Sequence, residues 1–378
     1  MQRVRVDCGP NQPPCRRRIL LQSPGGPLHH VGALADDHPQ LWSLLRETSR
    51  SFYLTLRVLP GSVRPQIGLA YLLARTTDTV ADTELIPVEQ RIATLAGLKR
   101  RILGESGLPL DLRPFAGVGH PSPGGASVAE RALLTRFEEA VQVLGRFTSA
   151  DQRLIRQVLD TITTGQELDL RRFSRASATE LVALPTLADT EEYTHLVAGC
   201  VGDFWTRICS AHLFPGGAWD QESQLRDGVR FGRGLQWVNI LRDLPRDLRT
   251  GRCYLPQDLL ATAGLSPAAL VDPASWGRVR GVYGDFLEIA ERHLEAGWEY
   301  TRRIPSSGRR VRLACAIPIL LGMRTLRLLR EGNPLDPATR IKVGRGFVRS
   351  SLWRACLGSW DVMSWDRIQA WARTTSQA

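Results

Sequence analysis

The segment FGRGLQWVNILRDLPRD, residues 231–247, carries the strongest structural signal in this chain of 378 residues. Its apolar spacing is helical, and Asn239, Asp243 and Asp247 recur every four residues, so they share one helical face. The rest of that face is apolar or small, apart from Gln236. Carboxylates are costly to bury without partners. The helix is therefore predicted to present its acids to a cation or to a hydrogen-bond network inside the protein.

A second helix carries the same combination of acids and an apolar face. Asp78 and Asp82 are four residues apart in YLLARTTDTVAD, residues 71–82. An isolated pair at this spacing is typical of a solvated surface, and Arg75 and Arg242 offer internal salt bridges as an alternative explanation. Two such helices in one chain favour two carboxylate walls that face each other across a cavity.

Oxygen ligands without histidine or cysteine select hard cations. Magnesium is typically held by one or two carboxylates together with the phosphates of a substrate. The two helices therefore predict a diphosphate bound through Mg²⁺, with arginines completing the charge neutralisation. The apolar faces below the acids predict a floor that accepts a long hydrocarbon.

The remaining periodicity is helical almost throughout, which predicts an all-α fold built as a single bundle. One run of alternating residues, 52–58, is too isolated to build a sheet. A disordered Arg/Pro/Gly-rich tail is predicted over 1–36, one helical domain over 37–372, and an irregular surface loop within it over 104–127. The predicted helices cover 65–83, 88–103, 128–148, 150–170, 191–213, 225–244, 277–303 and 309–330, with two more expected within 339–372.

The net charge of +11 is carried almost wholly by arginine, since Lys99 and Lys342 are the only lysines among 49 basic residues. Arginine favours phosphate, nucleic acid or anionic lipid as a partner. A nucleic-acid-binding protein would cluster these residues on one face with aromatic residues between them. Here they are spread along the chain and the most ordered polar positions are acidic, so nucleic acid is not expected as a partner.

The number and spacing of the cysteines and the lengths of the apolar runs indicate the cellular compartment. The seven cysteines show no metal-ligand spacing, which favours a reducing compartment. No run approaches the 18 apolar residues of a membrane span. The sequence thus predicts a cytoplasmic protein whose surface arginines contact an anionic membrane peripherally. It does not specify the oligomeric state.

Four motifs in order give the chain a family resemblance over about residues 43–260. They are SRSF at 49–52, DTVAD at 78–82, YTHLVAGCVG at 193–202 and QWVNILRD…D…GRCYLP at 236–256. In this combination the chain resembles the squalene/phytoene synthases, which join two prenyl diphosphates head to head. The resemblance implies a single-domain isoprenoid-synthase bundle with a central cavity.

The resemblance also implies roles for individual residues. Magnesium would be held by Asp78, Asp82, Asn239, Asp243 and Asp247. The diphosphates would be bound by Ser49, Arg50, Ser51, Arg75, Gln236, Arg242 and Arg252. Cationic intermediates would be oriented or stabilised by Tyr71, Tyr193 and Tyr254, for which a core tyrosine with a bonded hydroxyl is the alternative.

The expected reaction is the formation of squalene from two farnesyl diphosphates with NADPH, through a cyclopropylcarbinyl diphosphate. Phytoene, dehydrosqualene or hydroxysqualene formation, without the reductive step, is the alternative within the family. The family's eukaryotic C-terminal anchor is not found, so the resemblance is greatest to a bacterial squalene synthase. One departure from the family pattern is Pro245, which is expected to disturb the helix ahead of Asp247.

Overall fold

The computed structural model describes residues 39–49, 52–117, 127–216, 219–336, 339 and 341–358, and it confirms the all-α prediction. Fifteen α-helices follow one another in this part of the chain. They are α1 Pro39–Ser49, α2 Phe52–Val58, α3 Arg64–Asp82, α4 Val88–Leu103, α5 Arg113–Gly117, α6 Val128–Thr135, α7 Phe137–Leu144, α8 Ser149–Arg172, α9 Leu187–Thr194, α10 Cys200–Leu213, α11 Gln221–Arg249, α12 Gln257–Thr262, α13 Trp276–Arg303, α14 Arg309–Glu331 and α15 Arg345–Gly358. A π-helical turn, His195–Gly199, joins α9 to α10.

Helix α11 lies at the centre and packs most extensively against α13 and α10. On one side the apolar core is built from the N-terminal helices, and on the other from α13 and α14. Phe231 of α11 contacts both cores. The position of α11 is fixed by Trp237, which is fully buried and donates its indole N–H to Glu191 Oε1 at 2.8 Å. Among the described residues no helix is long and apolar enough to cross a lipid bilayer.

Pro245 lies within α11, and the helix nevertheless continues to Arg249. Proline has no N–H, so the carbonyl of Leu241 loses its helical donor. The hydroxyl of buried Tyr283 on α13 donates to that carbonyl at 3.0 Å. This replacement bond explains why the helix, predicted over 225–244, extends past the proline and keeps Asp247 on its face.

Helices α10 and α11 approach each other so closely that only glycine fits at their crossing. A Cβ atom on Gly202 would lie 1.9 Å from the carbonyl oxygen of Gly228, and one on Gly232 would lie 2.2 Å from that of Ala198. Real Cβ atoms do not make contacts this short, because the repulsion is prohibitive. The small residues of 198–202 and 228–232 therefore determine the spacing of the two helices.

Most predicted helices are confirmed, and the exceptions have local causes. Those over 65–83, 88–103, 150–170, 277–303 and 309–330 match within two residues. The helix predicted over 128–148 is two helices, because the N–H of Arg136 bonds in a tighter turn to the carbonyl of Leu133. The helix predicted over 191–213 is interrupted by the π-helical turn.

The alternating run over 52–58 is a helix, α2, and it builds no sheet, as expected. Its backbone groups find their partners within the helix, since the described part of the chain offers no long strand beside it. The strands present, β1 Val182–Ala183 and β2 Arg252–Cys253, pair in parallel and are too short to leave a periodic signal. The predicted tail over 1–36, residues 118–126 of the predicted loop and residues 359–372 lie outside the described residues.

Candidate active site

One face of α11 runs through two adjoining cavities of opposite character. Its N-terminal half lines an apolar cavity of about 200 Å³ with Gly228, Phe231, Gly232 and Leu235. Its C-terminal half lines a polar cavity of about 410 Å³ with Gln236, Asn239, Asp243 and Asp247. The sequence predicts that this face changes from apolar to acidic residues. In the structure the apolar residues line one cavity and the acidic residues line the other.

The opposite wall of the polar cavity comes from α3. Arg75 and Asp82 line it, and Asp78 lies one helical turn before Asp82. The carboxylate of Asp78 accepts a hydrogen bond from Gln166 of α8 and lies 3.8 Å from Nη1 of Arg75. The two acid-bearing helices therefore share one cavity, as the sequence indicates.

Within each wall, neighbouring carboxylates repel one another. Partial burial, with repulsion from Asp82, raises the pKa of Asp78 to about 7. Burial, with repulsion from Asp243, raises the pKa of Asp247 to about 7. Burial is also the main cause of the raised pKa of Asp82. Arginines beside these groups reduce the repulsion without cancelling it. A bound cation would therefore stabilise the charged carboxylates of this cavity.

The donor set fits magnesium bound together with a phosphate. In the described part of the chain, no three acidic, histidine or cysteine side chains converge closely enough to hold a metal ion by themselves. A hard cation that keeps several waters and takes further ligands from a substrate phosphate does not need such convergence. Asp82 and Asp247, on opposite walls, would each supply oxygen to a cation between them.

Arginines surround the acids, and most are held in fixed orientations. Arg242 donates two hydrogen bonds, of 2.8 and 2.6 Å, to the carboxylate of Asp243. Arg252 is carried by β2 and lies 3.4 Å from Asp169 Oδ2. Arg75 pairs with Glu130, the capping residue of α6. A planar guanidinium fixed in this way binds phosphate oxygens through two donors with little loss of entropy.

The predicted tyrosines divide between two locations. Tyr193 and Tyr254 line the polar cavity and stack with ring centroids 4.7 Å apart. The Gln236 side chain donates to the hydroxyl of Tyr193 at 3.4 Å. Tyr71 instead stacks on Phe52, a residue of the apolar cavity. Its hydroxyl donates to the carbonyl of Thr48, so its role in chemistry stays a prediction.

The SRSF segment is described only in part. Ser49 is buried at the end of α1, and its hydroxyl donates to the carbonyl of Leu45 in the same helix. It is not among the residues that line the polar cavity. Arg50 and Ser51 lie outside the described residues. Diphosphate binding by these three residues stays a prediction.

Sequence reasoning missed several polar residues of the site, chiefly Asp169 on α8. Its Oδ2 accepts a 3.2 Å hydrogen bond from the hydroxyl of Tyr254, while Oδ1 is buried without a partner. Burial raises its pKa to about 6, although Arg252 opposes the shift. Gln166, one turn earlier, bonds to Asp78. Gln166 and Asp169 are three residues apart and therefore lie on the same face of α8. This spacing was the feature of the sequence that could have identified them. Glu84, Arg246 and Thr250 also line the cavity and were missed.

The raised pKa values predict that the acids destabilise the metal-free protein at alkaline pH. A carboxyl whose pKa is higher in the folded state stabilises less as pH rises through that pKa. We expect Asp78→Asn to raise the unfolding free energy of the metal-free protein by about 1 kcal/mol at pH 8, a modest figure because 42% of the side chain is exposed. Below about pH 4, where Asp78 is protonated in both the folded and the unfolded protein, the variant and the wild type should unfold alike.

Urea denaturation with a chelator present measures this difference. Asp285→Asn, at an exposed position of α13, is the control and should change nothing at either pH. A loss of stability in Asp78→Asn at pH 8 would contradict the repulsion between the acids.

Known proteins resemble this chain in sequence and in fold. The chain matches the Squalene/phytoene synthase family over residues 45–346. It is 29% identical to a squalene synthase of Saccharomyces cerevisiae, over 58% of this chain and 45% of that protein. It is 27% identical to a presqualene diphosphate synthase of Rhodopseudomonas palustris, over 78% of this chain and 88% of that protein. The chain therefore spans about half the length of the yeast relative and most of the bacterial one.

A solved structure, that of TcSQS in complex with the ligand E5700, superposes with a TM-score of 0.69 at 23% identity. The match covers 89% of this chain and 92% of that one, which shows that the fold is shared. The family match extends over most of the described residues, including both acid-bearing helices. This chain belongs to the squalene/phytoene synthase family.

Proposed function

We propose that this protein condenses two farnesyl diphosphates head to head, through a cyclopropylcarbinyl diphosphate, and reduces that intermediate to squalene with NADPH. The observation that carries the proposal is the single face of α11 shared by the acidic and apolar cavities. A prenyl diphosphate has the same two-part character, with a charged head on a hydrocarbon chain. The family membership supports head-to-head condensation of such substrates.

The polar cavity would bind and orient the diphosphate heads. Arg75, Arg242 and Arg252 present fixed guanidinium groups to phosphate oxygens. Bound Mg²⁺ would supply Lewis-acid neutralisation of the leaving diphosphate, with Asp82 as a ligand from one wall and Asp243 and Asp247 from the other. The arginines hold the leaving group in place while the allylic C–O bond breaks and its electron pair goes to the diphosphate oxygen.

The apolar cavity would protect the allylic cation from water. Its lining includes the aromatic side chains of Phe52, Trp205, Phe231 and Tyr300. Aromatic faces stabilise a cation, and a dry surrounding prevents its capture by water. The double bond of the second substrate then attacks, a proton is lost, and the cyclopropane ring closes. Tyr193 and Tyr254 line the neighbouring polar cavity, in position to orient these species.

The second half-reaction releases the remaining diphosphate. Its C–O bond breaks and the cyclopropylcarbinyl cation rearranges to the 1–1′ linkage. NADPH would supply the hydride that quenches the final cation. A second candidate function is release of the cyclopropylcarbinyl diphosphate itself. This candidate is favoured by the match to the presqualene diphosphate synthase of Rhodopseudomonas palustris, which covers 88% of that protein. Proton loss to phytoene or dehydrosqualene, or capture of water, would give the family's other products.

The central test is incubation with Mg²⁺ and farnesyl or geranylgeranyl diphosphate, with and without NADPH, followed by mass spectrometry. Squalene that appears only with NADPH is the expected product. Accumulation of the cyclopropylcarbinyl diphosphate regardless of NADPH would select the second candidate. If neither substrate releases diphosphate, the proposed function is wrong.

Removal of one acid tests the metal role within the same assay. We expect Asp243→Ala to lower kcat/KM by about 100-fold or more, because a ligand to the charge-neutralising cation is lost. The variant should fold, since Asp243 is only partly buried. Asp285→Ala is the matched control, an exposed acid outside both cavities. Normal turnover in Asp243→Ala would refute the arrangement of two acidic walls.

Asp169 is expected to act by positioning Tyr254 and Arg252, not by holding the fold together. Asp169→Asn keeps the side-chain shape and removes the charge that both neighbours contact. We expect kcat to decrease about tenfold, the cost of a hydrogen bond to a charged group. KM for Mg²⁺ and the unfolding temperature should be retained, and Asp169→Glu should recover part of kcat. Equal losses of stability and activity would instead indicate a structural role.

We further propose peripheral contact with an anionic membrane through α15. Trp353 is 70% exposed, and Arg345 and Arg349 precede it at intervals of four on the same helical face. Exposed arginine and tryptophan side chains suit the headgroup region of a bilayer. Cosedimentation with phosphatidylserine vesicles should decrease with rising salt and in Trp353→Ser. Equal sedimentation with neutral vesicles would contradict the proposal.

A further inference from the structure

We propose that a second pocket, adjacent to the diphosphate site, binds a phosphate-bearing anion through Arg91, Arg249 and Arg252. The pocket has a volume of about 350 Å³ and lies between the start of α4, the end of α8 and the end of α11. It shares Glu84, Thr250 and Arg252 with the polar cavity. Arg252 thus separates the two sites and contacts both.

Arg91 is the buried cation of this pocket, with only 8% of its surface exposed. Its Nη1 donates to the carbonyl of Ala81 at 2.7 Å, while its Nε is buried without any partner. Burial and repulsion from Arg252 lower its pKa, which shows that the guanidinium lacks full compensation. A buried donor without an acceptor is costly, and a bound anion would supply that acceptor.

The charge balance of the pocket is positive. Arg91, Arg249 and Arg252 oppose a single acid of the lining, Glu84. Within the described part of the chain, Arg252 pairs with Asp169, whereas no ion pair involves Arg91 or Arg249. Three arginines with one acid in the lining make an environment selective for an anion of more than one charge.

The lining indicates phosphate as the anion. Arginine forks match the geometry of phosphate oxygens, and Ser174 adds a hydroxyl to the lining. Under the proposed function, two molecules would carry such phosphate groups. One is inorganic diphosphate released from the neighbouring cavity, and the other is NADPH. The identity of the bound molecule rests on the proposed function, whereas the binding of a phosphate group does not.

The alternative is that Arg91 serves only to cap α3 through the carbonyl of Ala81. Arg249 distinguishes the two explanations, because it is exposed and makes no hydrogen bond or ion pair with α3 in the described part of the chain. Arg100, exposed on α4 and outside the pocket, provides a control with the same change of charge. The matched set is therefore Arg91→Gln, Arg249→Gln and Arg100→Gln.

The test is isothermal calorimetry with inorganic diphosphate and, separately, with NADPH, both with a chelator present. The chelator removes Mg²⁺-dependent binding in the polar cavity, and comparison of the Arg91 and Arg249 variants with Arg100→Gln isolates the contribution of the arginine pocket. We expect Arg91→Gln and Arg249→Gln each to weaken binding of at least one probe about tenfold or more, and Arg100→Gln to match the wild type. A loss limited to inorganic diphosphate identifies the released product as the source, and a loss limited to NADPH identifies the cofactor.

The proposal is overturned if the wild type binds neither probe, or if Arg249→Gln binds both as tightly as Arg100→Gln does. If Arg91→Gln does not fold, Arg249→Gln and Arg249→Glu decide the question. The measurement needs no turnover, so an enzyme inactive on prenyl diphosphates would refute the proposed function without affecting this result. Conversely, squalene formation by a protein that binds neither probe in the presence of chelator would refute only the pocket.

Discussion

The close contact between the backbones of α10 and α11 determines the rest of the structure. Because Gly202 and Gly228 leave no space for side chains at the crossing, α11 is held against α10 along its N-terminal half. Beside this contact the larger side chains of Phe231 and Leu235 surround an apolar cavity. Further along the same face the acids enter the polar cavity. One rigid helix thus carries both halves of the site in fixed register.

The site is built at a cost in stability. Burial raises the pKa values of Asp78, Asp82 and Asp247, and the neighbouring carboxylates Asp82 and Asp243 add repulsion at Asp78 and Asp247 respectively. Such groups persist because the surrounding helices are held by other contacts, among them the hydrogen bond from Trp237 to Glu191. A site that is unfavourable when empty binds a cation and a diphosphate together, since each offsets the charge of the other.

Positive charge is distributed in two ways around these acids. Arg242 and Arg75 are paired with carboxylates and therefore present oriented donors to the polar cavity. Arg91 and Arg249 lie behind Arg252 without such partners. Arg75 and Arg242 of the polar cavity are thus paired with carboxylates, whereas Arg91 and Arg249 of the second pocket are not paired with any among the described residues. Under the proposal, an anion released from the polar cavity would bind favourably in that second pocket.

The sequence alone determined the helical fold, the two acid-bearing faces and the family, because helix periodicity and motif order are local properties. It also placed Asp243 and Asp82 on opposite walls of one site. Only the tertiary structure decided that Asp169 belongs near this site, since helix α8 reaches it through packing and not through chain proximity. It also decided that Arg91 shares a pocket with Arg249 and Arg252, which lie far along the chain. It likewise decided that α11 continues past Pro245, because the replacement donor comes from Tyr283, 42 residues from the carbonyl that it satisfies.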